Sequence, residues 1–408
     1  MAIKKVLIAG GGISGLTARY VLSQAYPNCA ITLLEKGNTL GGCIQTAPSP
    51  LFFERGPRTF KASRSQPLLQ LIDKLGLSKE IVYSNPKALR RFIWKKGKLR
   101  ALTPFSSLVL PLFFPLLKEW RQSPLAHKDE TIASFATRRF GKYAAETFFD
   151  PLTLGIFGGN METLSMSACF PTLKAMETDY GSLTRAFLKK KPTHRSKRPL
   201  FTLKGGLQTL IDRLVEKGRG EIHLNTPLTS LEEGATVLAL PASAIQSLFL
   251  KDPHIQTFFN QINHVSLTVV QVAFKTDLIK KKGFGYLVPT SEKDPIMGVM
   301  FDSAIFPLHN QNPSETRLTV MLKTGGIDTA LKGLERHLGI REAPIYIAIK
   351  RWKDVLPQYG INHLERVTTF EKHMQTHYPH IHCIGNFLRG VSVSECIASA
   401  CNIPLFSN

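Results

Sequence analysis

The sequence is poor in the residues from which metal centres and disulfide frameworks are built. Its six cysteines are scattered through 408 residues without a C-x-x-C pair, and no histidine cluster accompanies them along the chain. Zinc sites need paired cysteine and histidine spacings, and disulfide-stapled domains are small and dense in cysteine. We therefore expect no metal site, no disulfide framework and a reduced, cytoplasmic protein.

Acidic residues are also scarce. The chain has 30 Asp and Glu against 52 Lys and Arg, which gives a formal net charge of +22. Such an excess indicates an anionic partner, and nucleic acid, a membrane surface and an acidic substrate are the three candidates. No known nucleic-acid-binding motif occurs in the sequence, so we expect no nucleic acid partner.

Long apolar runs are missing as well. The most apolar stretch, residues 102–117, contains three prolines and is shorter than the roughly 20 residues of a membrane-spanning helix. With Arg100, Lys118 and Arg121 beside it, this stretch is typical of a segment that lies on a membrane surface. A buried helical core segment is the alternative. The N-terminus shows no signal-peptide pattern.

A glycine motif near the N-terminus carries the first functional signal. Gly10-x-Gly12-x-x-Gly15 follows the apolar run Val6–Ala9 and precedes a helical pattern, and Glu35 ends the next apolar run. In this context the motif predicts dinucleotide binding. The glycines let main-chain amides approach a pyrophosphate at a helix N-terminus, and the carboxylate accepts hydrogen bonds from a ribose.

A second glycine pair, Gly41-Gly42, follows Glu35 after a short loop. In proteins that hold extended FAD, such a pair brings the chain back across the pyrophosphate. The spacing therefore favours FAD over NAD, and an ordinary loop pair is the alternative.

These motifs and several others resemble the protoporphyrinogen/coproporphyrinogen oxidase family of haem biosynthesis, within the flavin-containing monoamine oxidase superfamily. The matching segments follow one another in family order over nearly the whole chain: residues 53–60, 129–141, 155–159, 164–171, 204–207, 283–289, 302–307 and 385–397. The resemblance implies non-covalent FAD and a porphyrinogen that loses six electrons in three two-electron steps. The flavin carries this chemistry, so no dedicated catalytic side chain is expected.

The resemblance also implies which residues bind the cofactor. The main-chain amides of the first glycine loop would hold the pyrophosphate, the acid and its neighbour the ribose, and the other positions the adenine and the flavin ring. The cofactor-binding positions are Gly10, Gly11, Gly12, Ile13, Ser14, Gly15, Glu35, Lys36, Gly42, Cys43, Gly56, Pro57, Arg58, Thr59, Leu228, Val391, Ser392 and Val393.

Four positions are implied for the substrate, each with an alternative. Arg91 would meet a substrate propionate, or it belongs to a solvated basic face. Gly155 would face the macrocycle, or it is a helix-end glycine. Arg58 would lie near flavin and substrate, or it forms a structural ion pair. Phe306 would pack on a porphyrinogen ring, or it belongs to the core.

The expected fold is α/β, and α+β overall. A discontinuous Rossmann-like FAD-binding domain would comprise residues 1–86, 199–262 and 351–408. A helical membrane-associating insertion would span 87–198, and a substrate-binding domain with a mixed or antiparallel sheet would span 263–350.

The favoured function is oxidation of protoporphyrinogen IX to protoporphyrin IX, the penultimate step of haem biosynthesis, with O2 or a membrane electron acceptor. Coproporphyrinogen III is the alternative substrate. An amine oxidase or a carotenoid desaturase is less favoured. A non-catalytic basic binding module is the fourth hypothesis, and the intact glycine motif argues against it. We expect a monomer or homodimer, peripheral on the cytoplasmic face of an anionic membrane.

Overall fold

Continuous apolar runs predict strands that are buried on both faces of a parallel sheet, and alternating runs predict strands of mixed or antiparallel sheets. The computed structural model describes residues 4–47, 51–122, 129–189, 200–231 and 233–404. Its strands are β1 (Lys5–Ala9), β2 (Ala30–Leu34), β3 (Phe60–Lys61), β4 (Ile81–Tyr83), β5 (Arg91–Lys95), β6 (Lys98–Ala101), β7 (Leu200–Leu203), β8 (Glu221–His223), β9 (Ala235–Leu238), β10 (Asn263–Phe274), β11 (Gly285–Leu287), β12 (Ile296–Met300), β13 (Thr316–Leu322), β14 (Tyr346–Gln358) and β15 (Ile381–Cys383).

The helices alternate with these strands in the first part of the chain and cluster in its middle. They are α1 (Ile13–Ala25), α2 (Gln66–Lys74), α3 (Phe113–Glu119), α4 (Ile132–Phe140), α5 (Lys142–Ala144), α6 (Asp150–Phe157), α7 (Met166–Cys169), α8 (Pro171–Tyr180), α9 (Leu183–Lys189), α10 (Gln208–Lys217), α11 (Ala242–Leu248), α12 (Pro253–Asn260), α13 (Asp302–Ile305), α14 (Ile327–Leu338), α15 (His363–His377) and α16 (Val393–Cys401).

The chain divides into two compact units. The first unit comprises Met1–Tyr83, Leu200–Asn263 and Leu364–Asn408. Its main sheet is parallel, with strand order β15-β9-β1-β2-β8, and a smaller antiparallel sheet has the order β3-β7-β4. One core of this unit joins β1 and β2 to α1, α2, α10 and α16, and another joins β9 and β15 to α11, α12 and α15.

The second unit comprises Ser84–Pro199 and His264–His363. Its sheet has the order β14-β10-β13-β12-β11-β5-β6, and β11 pairs parallel with β5 whereas its other side pairs antiparallel with β12. Tyr286 of β11 points into the core that α14 covers. Leu287 points to the opposite face, where α6 contacts β11 and β12.

The division into units differs from the expected domains in two respects. The expected insertion (87–198) and the expected sheet domain (263–350) form one unit, because β5 and β6 extend the sheet beyond β11. Residues 351–363 belong to this unit and not to the first, because β14 runs through Gln358 as an edge strand of the same sheet. The expected fold class is confirmed: a discontinuous parallel α/β unit accompanies a mixed-sheet unit with helices.

Candidate functional site

The first glycine loop is shaped by close main-chain contacts after β1. Gly10 has φ +106°, and a Cβ at Gly15 would lie 1.9 Å from the Gly10 carbonyl oxygen. Gly12, by contrast, caps α1 with φ −77°. A Cβ there would meet nothing within 4 Å. The N-terminus of α1 therefore opens onto empty space, which is the form of a cradle for an anionic group.

Glu35 follows β2 and is fixed by main-chain amides. Its Oε2 accepts a hydrogen bond from the amide of Gly11 at 2.7 Å, and its Oε1 accepts one from the amide of Gly37 at 2.7 Å. The amide of Thr226 donates to the Glu35 carbonyl at 2.8 Å and brings the segment of Leu228 alongside. Each carboxylate oxygen keeps a further lone pair, so the group can still accept from ribose hydroxyls.

The second glycine pair returns the chain to the first loop, as the sequence predicts. A Cβ at Gly42 would lie 3.3 Å from the Cα of Gly12. Farther along, a Cβ at Gly56 would lie 1.9 Å from the carbonyl oxygen of Cys43. Three passes of main chain thus lie beside the N-terminus of α1, and the contact of Gly56 with Cys43 is one that only glycine permits.

The predicted positions after Gly56 are half-buried, and Arg58 turns back on its own loop. Its Nη2 donates to the carbonyl of Gly56 at 3.3 Å. Pro57 and Thr59 flank it with intermediate exposure, whereas Lys36 is exposed. Arg58 is therefore held by its own loop within the first unit.

Sequence reasoning did not identify Glu54 as a site residue, although it lies inside a matching family segment. Its buried carboxylate accepts the Thr46 hydroxyl at 3.0 Å and the amide of Leu207 at 2.7 Å. These bonds join the return loop to the start of α10. An acid directly after the apolar run 51–53 is a usable signal, because a buried charge requires partners.

Ser392 has a structural role at the start of α16. Its hydroxyl accepts from the amide of Glu395 at 3.2 Å, and its own amide donates to the Glu395 carboxylate at 3.1 Å. This reciprocal pair is a capping box. Val391 is half-buried and Val393 is buried beside it, so a cofactor contact at these three positions stays a prediction.

Three of the four predicted substrate residues lie in the second unit, and the structure explains Gly155 differently from the sequence. A Cβ at Gly155 would lie 2.8 Å from Cδ2 of Leu287. The glycine therefore lets α6 pack closely on β11, and neither a macrocycle nor a helix end is needed to account for it. Phe306 is only 6% exposed, as in a core residue.

Arg91 begins β5 and is exposed, with its guanidinium carbon 5.2 Å from the centroid of the Phe284 ring. The basic run around it is not a uniform solvated face. Lys95 donates to the Thr147 hydroxyl at 2.6 Å and lies 4.9 Å from the Tyr143 ring centroid. Burial lowers the pKa of Lys95.

A buried ion cluster holds the helices of the second unit together. Arg139 has a fully buried side chain, with Nη2 2.5 Å from Glu177 and Nη1 3.3 Å from Glu119. Glu119 ends α3 and also accepts the amides of Leu183 at 2.9 Å and Thr184 at 3.0 Å, at the start of α9. Sequence reasoning missed this cluster because its partners are far apart in the chain.

The pKa values of these carboxyls reflect their partners. Burial raises the pKa of Glu177, but hydrogen bonds and charges from Lys174, Arg139 and Arg138 outweigh it and lower the pKa to about 2. At Glu119, burial is likewise outweighed by hydrogen bonds, chiefly at Ser182 and the start of α9, and the pKa is lowered. Both carboxyls are therefore ionised at neutral pH.

Helices α3 and α9, which Glu119 joins, and the turns before α3 expose large apolar side chains, which we call the apolar face. It comprises Phe105, Phe113, Phe114, Leu117 and Phe187, whose exposed fractions run from 56% to 89%. The prolines of the stretch 102–117 break it into short turns and α3, so the segment is not a buried core. In the described parts of the chain, we find no helix that is long and apolar enough to cross a membrane.

Comparisons with known proteins identify the family of this chain. The model of the family of flavin containing amine oxidoreductases matches residues 13–403. The protoporphyrinogen oxidase of Homo sapiens is 29% identical over 467 residues, covering 97% of this chain and 96% of its own. The protoporphyrinogen oxidase of Schizosaccharomyces pombe is 26% identical over 482 residues and covers 96% of each chain.

Solved structures agree with these relatives. A crystal structure from Exiguobacterium sp. 255-15, provisionally named protoporphyrinogen oxidase, has a TM-score of 0.86 at 26% identity and covers 98% of both chains. Reduced UDP-galactopyranose mutase has a TM-score of 0.75 at 12% identity, covering 98% of this chain and 93% of its own, and shows the fold alone. The resemblance predicted from the sequence is confirmed, and the chain belongs to the flavin containing amine oxidoreductases as a flavin-dependent oxidoreductase.

Proposed function

We propose that this protein is an FAD-dependent oxidase that converts protoporphyrinogen IX to protoporphyrin IX in three two-electron steps, with O2 or a membrane component as electron acceptor. The observation that supports this substrate is the similarity to protoporphyrinogen oxidases over 97% of the chain. The cradle at Gly12 and the fixed carboxylate of Glu35 support the cofactor.

FAD fits the residues of the first unit. The amides of the glycine loop would hold the pyrophosphate at the N-terminus of α1. Glu35 would accept the ribose hydroxyls, and Leu228 would lie along the adenine. The segments at Gly42-Cys43, Gly56–Thr59 and Val391–Val393 would line the rest. When bound, the flavin supplies a two-electron acceptor for the substrate carbon.

The residues of the second unit support recognition of an acidic substrate. Arg91 is exposed at the start of β5 and can bind a carboxylate through two N–H groups. Protoporphyrinogen carries two carboxylates and coproporphyrinogen four. Coproporphyrinogen III is therefore the alternative that the test must include.

The test compares the two porphyrinogens side by side with purified, FAD-loaded protein. We expect fluorescent porphyrin to form from protoporphyrinogen well above the rate of autoxidation, and more slowly from coproporphyrinogen. The Gly12→Ala variant serves as a matched control, because its Cβ would occupy the cradle. Faster turnover of coproporphyrinogen would change the substrate, and no rate above autoxidation for either would overturn the proposal.

We also propose that the apolar face docks on an anionic membrane. Lys118, Arg121 and Arg185 are exposed beside it. Basic residues next to exposed aromatic side chains favour the interface of an anionic leaflet, the expected surface being the cytoplasmic one. A porphyrinogen is sparingly soluble, so docking would bring the enzyme to its substrate.

Co-sedimentation with vesicles tests this docking. We expect binding to phosphatidylcholine vesicles that contain phosphatidylglycerol, and weaker binding without the anionic lipid or at high salt. The double substitution of Phe113 and Phe114 by Ser should abolish it. Leu250→Ser, which changes a side chain that is 72% exposed in the first unit, is the control. Equal binding by both variants would overturn the proposal, and analytical ultracentrifugation of the free protein distinguishes monomer from homodimer.

A further inference from the structure

The segment Gly283-Phe284-Gly285 has a main chain that is fixed on both sides. The amide of Phe284 donates to the carbonyl of Arg90 at 2.8 Å, and its carbonyl accepts the amide of Phe301 at 3.1 Å. A Cβ at Gly283 would lie 2.5 Å from the Arg90 carbonyl oxygen, and one at Gly285 would lie 2.1 Å from a carbonyl oxygen of β12. The two flanking positions therefore require glycine, and the main chain of Phe284 has one place in the sheet.

The main chain of Arg91 is fixed in the same way. Arg91 is the register partner of Gly285 where β5 pairs with β11. On its other side, its carbonyl accepts the amide of Leu102 at 2.9 Å. With both main chains held, the ring of Phe284 and the guanidinium of Arg91 face each other at 5.2 Å from carbon to centroid.

We propose that Phe284 is a positioning residue for Arg91, and that its ring face orients the guanidinium toward a propionate of the substrate. This proposal rests on the proposed function, because it assigns the carboxylate to a porphyrinogen. A guanidinium on an aromatic face is attracted by the ring, and its planar set of N–H groups matches a carboxylate in a bidentate bond. Removing the ring removes this preferred orientation, so more rotamer freedom is lost when the substrate binds.

Other cations of the basic run are held by different partners. Lys95 donates to Thr147, and Arg100 donates to the hydroxyl of Ser107 at 3.1 Å. Neither contact uses Phe284. The ring therefore acts on Arg91 and not on the basic run as a whole, and this makes the effect of its removal specific.

The experiment uses the FAD-loaded enzyme and the Phe284→Leu and Phe284→Tyr variants. Leucine keeps apolar volume and removes the ring face, whereas tyrosine keeps the face. We expect Phe284→Leu to raise KM for protoporphyrinogen about two- to fivefold with kcat nearly unchanged. Phe284→Tyr should keep the KM of the unchanged enzyme. Melting temperature and flavin content, measured on each variant, identify a variant that has merely lost its structure.

An uncharged substrate distinguishes a role of Phe284 in positioning Arg91 from a role in packing. The dimethyl ester of protoporphyrinogen has no carboxylate for Arg91, so its KM should not respond to Phe284→Leu. The same substitution should also have no effect in an Arg91→Ala background. Trp352→Leu, which removes a ring 4.6 Å from the Lys350 amine on β14, is the matched control and should leave KM unchanged.

The proposal is overturned if Phe284→Leu leaves KM for the free acid unchanged. It is also overturned if the substitution raises KM equally for the acid and the ester, or equally with and without Arg91. These outcomes all require an active unchanged enzyme. An unchanged enzyme that oxidises no porphyrinogen would instead overturn the proposed function.

Discussion

The glycine loops of the first unit and the helices of the second unit are held in different ways. In the first unit, main chain is packed against main chain, as where Gly15 meets the Gly10 carbonyl and Gly56 meets that of Cys43. In the second unit, helices are joined by buried ionised side chains such as Arg139. The first arrangement should tolerate a change of charge and resist any added volume, and the second should do the opposite.

Arg139→Met is the strongest test of the buried ion cluster in the second unit. It keeps much of the volume but leaves Glu119 and Glu177 buried without their common cation, so we expect a loss of about 3–5 kcal/mol in the free energy of unfolding. Arg341→Met is the control, because its side chain is 84% exposed in its pair with Glu335 and should cost under about 1 kcal/mol. Chemical denaturation measures both, and equal losses would contradict the comparison.

The glycine loops of the first unit are tested with two alanine substitutions. Gly15→Ala forces a Cβ against the Gly10 carbonyl and should lower the free energy of unfolding by about 1–3 kcal/mol, with loss of flavin. Gly12→Ala points into open space, so it should leave stability within about 0.5 kcal/mol and weaken flavin binding about tenfold or more. Thermal melts and flavin titration separate the two. A Gly12→Ala protein that binds flavin normally would exclude the cradle.

Acidification should weaken the ion cluster of the second unit. The pKa of Glu177 is about 2 in the folded protein and near its ordinary value of about 4.3 when unfolded. A lowered folded pKa contributes stability above the unfolded pKa, and this contribution is lost as pH falls from about 5 toward 2. Glu177→Gln should therefore flatten the fall in melting temperature over that range. A slope equal to that of the unchanged protein would contradict the assignment.

A small loss of stability is expected at a helix cap of the first unit. Ser392→Ala removes the hydroxyl that accepts the Glu395 amide, and we expect a loss of about 1 kcal/mol in the free energy of unfolding. Ser392→Thr keeps the hydroxyl and should recover most of the loss. If flavin affinity falls more than stability does, Ser392 also contacts the cofactor.

Local patterns predicted the parts of the molecule that depend on neighbouring residues. The strand, glycine turn and helix from β1 to α1, and the acid at Glu35, are adjacent in sequence, and the structure places them as expected. In each case the residue types and their spacing contain the whole signal.

Contacts between distant segments could not be predicted in this way. Nothing near Gly155 in the sequence indicates that Leu287 occupies the space beside it, and nothing near β5 indicates that it pairs with β11. The compact units differ from the expected domains at β14 for the same reason, because an edge strand is assigned by its partner and not by its own residues. Long-range pairing requires the folded chain.

The stacked glycines also predict how this site can change in evolution. Where main chain meets main chain, as between Gly56 and the carbonyl of Cys43, the side chain of the second residue takes no part in that contact. Positions such as Cys43 can therefore drift among relatives while the neighbouring glycine stays fixed. A saturation library over residues 41–59 should show this as intolerance at the glycines beside permissive neighbours, a profile that marks the cradle without any ligand.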